Sequence, residues 1–199
     1  MPADNHTTRR GFLVTAAGAT SLVAAGDAFG QQNLAPTPAC DDGHGPTLRQ
    51  TEGPYFKPRS PERGNLREPG MAGRSVELTG LVLTRACRPV ARALVDLWHA
   101  DDKGDYDNAG FKLRGHVFTD AEGRYRFATI VPGVYPGRTR HFHVKVQAPN
   151  GPVLTTQLYF PGDAAANQRD GLFRRELLTK VADEAGGLAA RFDVVLDIR

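Results

Sequence analysis

Four side chains stand out by type and spacing: Tyr106 in "GDYD", Tyr135 in "PGVYPG", and His141 and His143 in "RHFHVKV". Residues two apart on a strand face the same side, so a strand over "HFHVKV" projects both imidazoles together and turns Phe142, Val144 and Val146 to a core. Pro132-Gly133 and Pro136-Gly137 bracket Tyr135 with turn residues, which places it on a fixed loop at the entrance of that strand. Tyr106 lies likewise in the polar loop "DDKGDYDNAG", after the apolar run "ALVDLWHA". Two histidines on a polar face are usually solvated, and either tyrosine alone is a surface aromatic. Taken together, the four imply one metal.

The donor types narrow the metal. Zinc sites favour Cys, His and carboxylate, and both cysteines lie elsewhere in the sequence. A phenolate is a hard anionic oxygen donor whose ordinary pKa is about 10, so only a strongly acidic cation holds it deprotonated at neutral pH. Non-haem Fe(III) does this, and two phenolates leave one positive charge for hydroxide or an anionic substrate. A 2-His-1-carboxylate Fe(II) site remains open through Asp105 and Asp107.

The elements that must hold these residues read mainly as β-structure. "SVELTGLVLT", "ALVDLWHA", "GHVF", "RYRFATI", "HFHVKVQAP", "VLTTQLYF" and "RFDVVLDIR" alternate or run apolar, with Asp120 to Gly123 as a turn. In the last of these, Phe192, Val194, Leu196 and Ile198 share a face. Tyr125, Phe127 and Thr129 share another. "TEGPYFKPRSPERGNLREPGMAG" is too rich in proline and glycine for helix or central strand, and predicts extended coil lying on something else. Between 164 and 185 the spacing of Leu172, Phe173, Leu177, Leu178 and Val181 predicts a helical excursion capped by Asp170. The expected fold is an antiparallel β-sandwich with that one excursion.

The blocks "TEGPYF", "VDLWHADDKGDYD", "RGHVFTDAEGRYRFATIVPGVYPGRTRHFHVKV" and "TTQLYFPGD" resemble those of the intradiol ring-cleavage dioxygenases, in that family's order from about Thr51 to Asp163. The resemblance implies a transthyretin-like sandwich over 51–199, with Tyr106, Tyr135, His141 and His143 as ligands of non-haem Fe(III). It also implies that Arg138 and Tyr135 act in catalysis, and that Tyr55, Arg138 and Gln157 line the substrate site. The implied reaction opens a catechol-type ring between its hydroxylated carbons with O2, giving a muconate-type diacid without nicotinamide or flavin. Arg138 has an ordinary alternative, capping a turn or pairing with an aspartate. Trp98 and His99 read as packing and surface positions. Arg140 alternates to the side of Phe142. The rival function is a metal-free transthyretin-like module that binds sugar or protein. A zinc hydrolase stands third.

Composition sets outer limits. A chain of 199 residues, 40% hydrophobic and 24% charged, is an ordinary globular protein with one compact domain. Its net charge of +3 is scattered, which argues against nucleic acid as a partner. Residues 1–30 carry Arg9-Arg10 and then a weakly apolar run from Phe12 to Ala25, the pattern of a twin-arginine-type export signal. That run is too short for a membrane span, so a periplasmic enzyme without a stable membrane anchor is expected. Residues 31–50 read as a linker or arm. In an exported chain Cys40 and Cys87 permit one disulfide, the alternative being two unpaired thiols. A homo-oligomer is possible.

Overall fold

The structure is a computed structural model that describes residues 45–199. The expected export signal, Cys40 and most of the arm lie outside the described residues. Cys87 is disulfide-bonded.

Among the described residues, nine strands make two sheets. The first has the order β4-β1-β8-β7, from β1 (Ser75–Leu83), β4 (Arg124–Ile130), β7 (Lys180–Glu184) and β8 (Gly187–Arg191), and β9 (Val194–Val195) also pairs with β1. The second has the order β3-β2-β5-β6, from β2 (Leu94–Trp98), β3 (Arg114–Phe118), β5 (His141–Gln147) and β6 (Val153–Tyr159). The sandwich is as expected, with one exception to its antiparallel pairing: β1 runs parallel to both β8 and β9. The turn at Asp120 to Gly123 carries the chain from β3 in one sheet to β4 in the other.

Alternation along the strands builds the core. Val76, Leu78, Val82 and Phe127 of one sheet face Val95, Leu97, Phe142, Val144 and Val146 of the other, all 2% exposed or less. Each large apolar side chain so buried contributes roughly 1.5–3 kcal/mol. Tyr125 and Thr129 share the buried face with Phe127, as the spacing predicts.

The helical excursion is shorter than predicted. α1 spans only Ala164–Arg169 and is capped by Asp163, not Asp170. A single 3-10 turn follows at Arg175–Leu177, and Lys180–Glu184 is strand β7, hairpinned to β8 at Gly186. Asp170 ends α1: its carboxylate accepts from Leu172 N and Thr139 N, and its backbone is extended, so the helix cannot continue. The apolar spacing reflected separate contacts, with Leu177 buried and Val181 on the open face of β7.

The predicted coil does lie on something else. Residues 51–66 cross the outer face of the second sheet and bridge to both sheets, with Glu62 against His116 and Asn65 against Ala128. Pairing aligns two rows on that face, Arg114–Trp98–His143–Gln157 and His116–Asp96–Lys145–Thr155. Ser60 donates to Asp96 and contacts His116, Glu52 pairs with Lys145, and Phe56 packs on Trp98 at 5.0 Å. Upstream, Gln50 N donates to Thr155 O, and Thr47 N to Val195 O.

Candidate metal centre

The two histidines emerge on one side of β5, each under 5% exposed. Their Nε2 atoms stand 3.1 Å apart. His141 Nδ1 lies 2.6 Å from Thr139 O, and since a carbonyl only accepts, Nδ1 carries the hydrogen and Nε2 offers its lone pair. Burial holds the His141 imidazole down at about 4, and burial followed by the neighbouring His141 holds His143 well below the ordinary value. Both rings are neutral donors at physiological pH. The His143 ring stacks on Trp98, centroids 5.0 Å apart and planes within 10°.

One loop brings Tyr106 to this pair, and a second brings Tyr135 to Tyr106. The Tyr106 ring centroid lies 6.1 Å from that of His143 and 6.2 Å from that of Tyr135. The loops interlock through glycines. A Cβ on Gly104 would lie 2.4 Å from Val134 O, and one on Gly133 only 2.3 Å from Gly104 N. Gly133 N also donates to Asp101 O at 2.6 Å. Only glycine permits this approach, so "KGDY" and "PGVY" are two halves of one backbone contact.

Tyr55 arrives on the coil segment and completes a cluster of three phenols. Its ring stacks on Tyr106 at 4.4 Å and 13°, and its hydroxyl shares a 2.9 Å hydrogen bond with Tyr135. That bond, then burial, raises the Tyr55 phenol above its ordinary value. Burial raises Tyr106 strongly, against the pull of Arg138 and Arg114. A phenol raised in this way ionises at neutral pH only beside a strong Lewis acid, and His141 Nε2 presents its lone pair 3.1 Å from His143 Nε2. Two phenol oxygens and two imidazole nitrogens therefore fit a hard, highly charged metal ion.

The carboxylate alternative finds less support. Asp107 spends its oxygens on the amides of Ala109, Gly110 and Lys112, which hold its carboxyl below the ordinary range, and Asp105 is exposed. Among the described residues no three His, Cys, Asp or Glu side chains come together.

Arg138 does pair with an aspartate, and it also meets the residue expected to line the site. Its Nε donates to both oxygens of Asp170, at 2.9 and 3.1 Å, and its Nη2 to Gln157 Oε1 at 2.5 Å. Burial would raise the Asp170 carboxyl, but the Thr139 and Leu172 amides and the Arg138 guanidinium outweigh it and hold it below the ordinary range. Gln157 is fully buried, donating to Thr51 O and accepting from Tyr159 as well. Burial pushes the Tyr159 phenol up to about 12. Arg140 turns away and donates to Pro132 O.

Sequence reasoning missed several supporting residues. His99, expected at the surface, is 1% exposed: its Nδ1 donates to Ala100 O and its Nε2 accepts from Thr129 Oγ1. Burial holds it at about 4. Trp98 is packing, as expected, but what it packs is a candidate ligand. Asp170 looked like a helix cap. Arg114 had no signal at all beyond its place at the head of a strand.

Comparison with known proteins gives a consistent picture. The profile of a family described as Dioxygenase matches residues 51–198. The chain is 35% identical to the protocatechuate 3,4-dioxygenase beta chain of Burkholderia cepacia, over 62% of this chain and 65% of that one. It is 32% identical to catechol 1,2-dioxygenase 2 of Acinetobacter lwoffii, over 64% and 58%. It thus spans less than two thirds of the length of these curated relatives. Among solved structures, the dioxygenase domain of a dioxygenase carbohydrate-binding protein fusion from Streptomyces sp. SirexAA-E aligns at 52% identity and a TM-score of 0.75, covering 77% of this chain and 99% of that one. The 3-chlorocatechol 1,2-dioxygenase of Rhodococcus opacus 1CP aligns at 26% identity and a TM-score of 0.69, covering 76% and 72%.

Proposed function

This chain belongs to the intradiol ring-cleavage dioxygenase family, and we propose that it opens a catechol-type ring between its two hydroxylated carbons, using O2 and non-haem Fe(III). The observation that carries the reading is the convergence of two neutral imidazole nitrogens, 3.1 Å apart, beside a cluster of half-buried phenols. Tyr106, Tyr135, His141 and His143 would hold the iron. When bound, ferric ion supplies the Lewis acidity that ionises the phenols and a catechol and makes the ring reactive toward dioxygen.

The chain's own residues then have distinct tasks. Tyr135 is the phenol best placed to exchange a proton with a substrate hydroxyl, because Tyr55 already hydrogen-bonds its oxygen. Arg138, fixed through Nε and Nη2, keeps its Nη1 uncommitted among the described residues and can stabilise negative charge on an opening ring. Gln157 holds Arg138 on one side and the coil segment on the other. Trp98 and Phe56 keep water from the protein side of His143. The Arg9-Arg10 segment supports a further proposal, twin-arginine export to the periplasm, which suits a protein that takes up its metal while folding in the cytoplasm.

The test is metal analysis of protein purified without added metal, followed by anaerobic titration with catechol, protocatechuate and hydroxyquinol. Ferric ion and a visible phenolate-to-iron band are expected, with a shift of that band by the true substrate and oxygen uptake on admitting air. Colourless, iron-free protein that consumes no oxygen would overturn the reading in favour of a metal-free binding module.

A further inference from the structure

Arg114 opens β3 and is 1% exposed, one of the largest buried side chains in the molecule. A guanidinium is costly to bury, and burial lowers its pKa from the ordinary value. No carboxylate contacts it at ion-pair distance among the described residues. Its hydrogen bonds go instead to two backbone carbonyls on different segments. Nη1 donates to Tyr55 O at 2.6 Å, and Nε to Asp107 O at 3.1 Å. The first is the coil residue whose ring stacks on Tyr106 and whose hydroxyl meets Tyr135. The second follows Tyr106 directly. Its pairing partner across the sheet is Trp98, which stacks on His143.

We propose that Arg114 is the positioning residue that locks the Tyr55 segment to the Tyr106 loop and so fixes the three-phenol cluster of the metal centre. The inference rests on the dioxygenase reading for its catalytic consequence, but the lock itself is a property of the folded chain. A planar, forked donor spans two carbonyls in fixed directions, and among the described residues no backbone–backbone hydrogen bond joins the Tyr55 stretch to the Tyr106 loop. Lys57 supports the same joint from the solvent side, donating to the carbonyls of Ala109 and Gly110, but its flexible stem does not fix an orientation. A packing role alone would call for an apolar side chain here, which would not incur the cost of a buried charge. The Nη2 of Arg114 is buried without a protein partner among the described residues, so the charge is kept for what the other two nitrogens hold.

The test compares wild type with Arg114→Lys and Arg114→Gln in the full chain. Lysine keeps the charge but reaches one carbonyl, and glutamine keeps a donor without the charge. Near-ultraviolet circular dichroism of metal-free protein reads the stacked tyrosines independently of iron, and iron loss to a chelator reads the assembled centre. Both variants should lose tyrosine ellipticity and release iron about ten- to a hundredfold faster, as expected when a group that orients metal ligands is removed. KM for a catechol should rise in Arg114→Lys. Val95→Ala, in the core between the sheets, is the control for general destabilisation. Should the Arg114 variants keep wild-type ellipticity and iron retention, or lose them only as far as Val95→Ala does, the lock is refuted. Should glutamine prevent folding, the lysine variant alone decides. If no form binds iron, the dioxygenase reading fails, while the ellipticity still decides the lock.

Discussion

At the scale of single residues, the site depends on groups whose ordinary ionisation would be wrong for the work. His141 and His143 are kept neutral by burial, and Asp170 is kept ionised by the amides and guanidinium it serves. Asp170→Asn is expected to destabilise the protein by about 1.5–3 kcal/mol at pH 7, since charge-assisted bonds to Arg138 are lost. The sign with pH follows from the depressed carboxyl. Its contribution is complete above the unfolded value near 3.8 and disappears as pH falls through the lower folded value. Urea denaturation at pH 7 and pH 3 should therefore show a smaller acid loss in the variant than in wild type. With Arg138 free to swing, oxygen uptake should fall on the order of ten- to a hundredfold at unchanged iron content.

At the scale of elements, two loops and a coil segment bring together side chains that no single strand could. Gly104 and Gly133 set the distance between the loops that carry Tyr106 and Tyr135. Gly133→Ala would drive a Cβ into the Gly104 backbone, forcing the loops apart at a cost at the upper end of about 1–3 kcal/mol. The expected readout is bleaching of the visible band beyond what the loss of global stability explains, measured by absorbance and by thermal melting of the same samples. Gly53 makes a related contact on the third segment, where an added Cβ would lie 3.2 Å from the His143 ring. The predicted helix over 164–185 failed at this scale. Apolar residues at three- and four-residue steps also arise when short pieces make separate contacts, and Asp170 was drawn off by Arg138, a partner 32 residues away.

At the scale of the whole molecule, acid sensitivity and, under the proposed function, metal binding both act on the folding equilibrium. His99 ionises at about 4 when folded and near 6.5 when unfolded, because burial opposes its charge. The unfolded chain therefore takes up the proton first. Stability is intact above pH 6.5 and falls by about 1.4 kcal/mol per unit as pH drops toward 4, then levels off. His99→Gln should lack that share, so its urea stability should change less between pH 7 and pH 4.5. The site histidines titrate in both proteins, and their charge coupling to His99 is a smaller cause than its burial. Removing the proposed iron with a chelator should lower the melting temperature as well as the colour. A ligand at a thousandfold its Kd adds about 4 kcal/mol to the folded state, and calorimetry before and after chelation measures it.

Much of this was legible in the amino-acid order, because the relevant forces act over a few residues. Alternation with period two marked the strands, glycine and proline marked the loops, and H-x-H on a strand placed both imidazoles on one side. Those features hold whatever the rest of the chain does. What tertiary structure alone decided is which distant groups meet. Tyr55 reaches Tyr135 across 80 positions, Arg114 reaches Tyr55 across 59, and Arg138 finds Asp170 beyond two intervening strands. Such meetings depend on strand register and on how a coil lies across a sheet, and these are set by the packing of the whole core rather than by local preference. For that reason the candidate ligands could be read from their neighbours in sequence, whereas the residues packed around them could not.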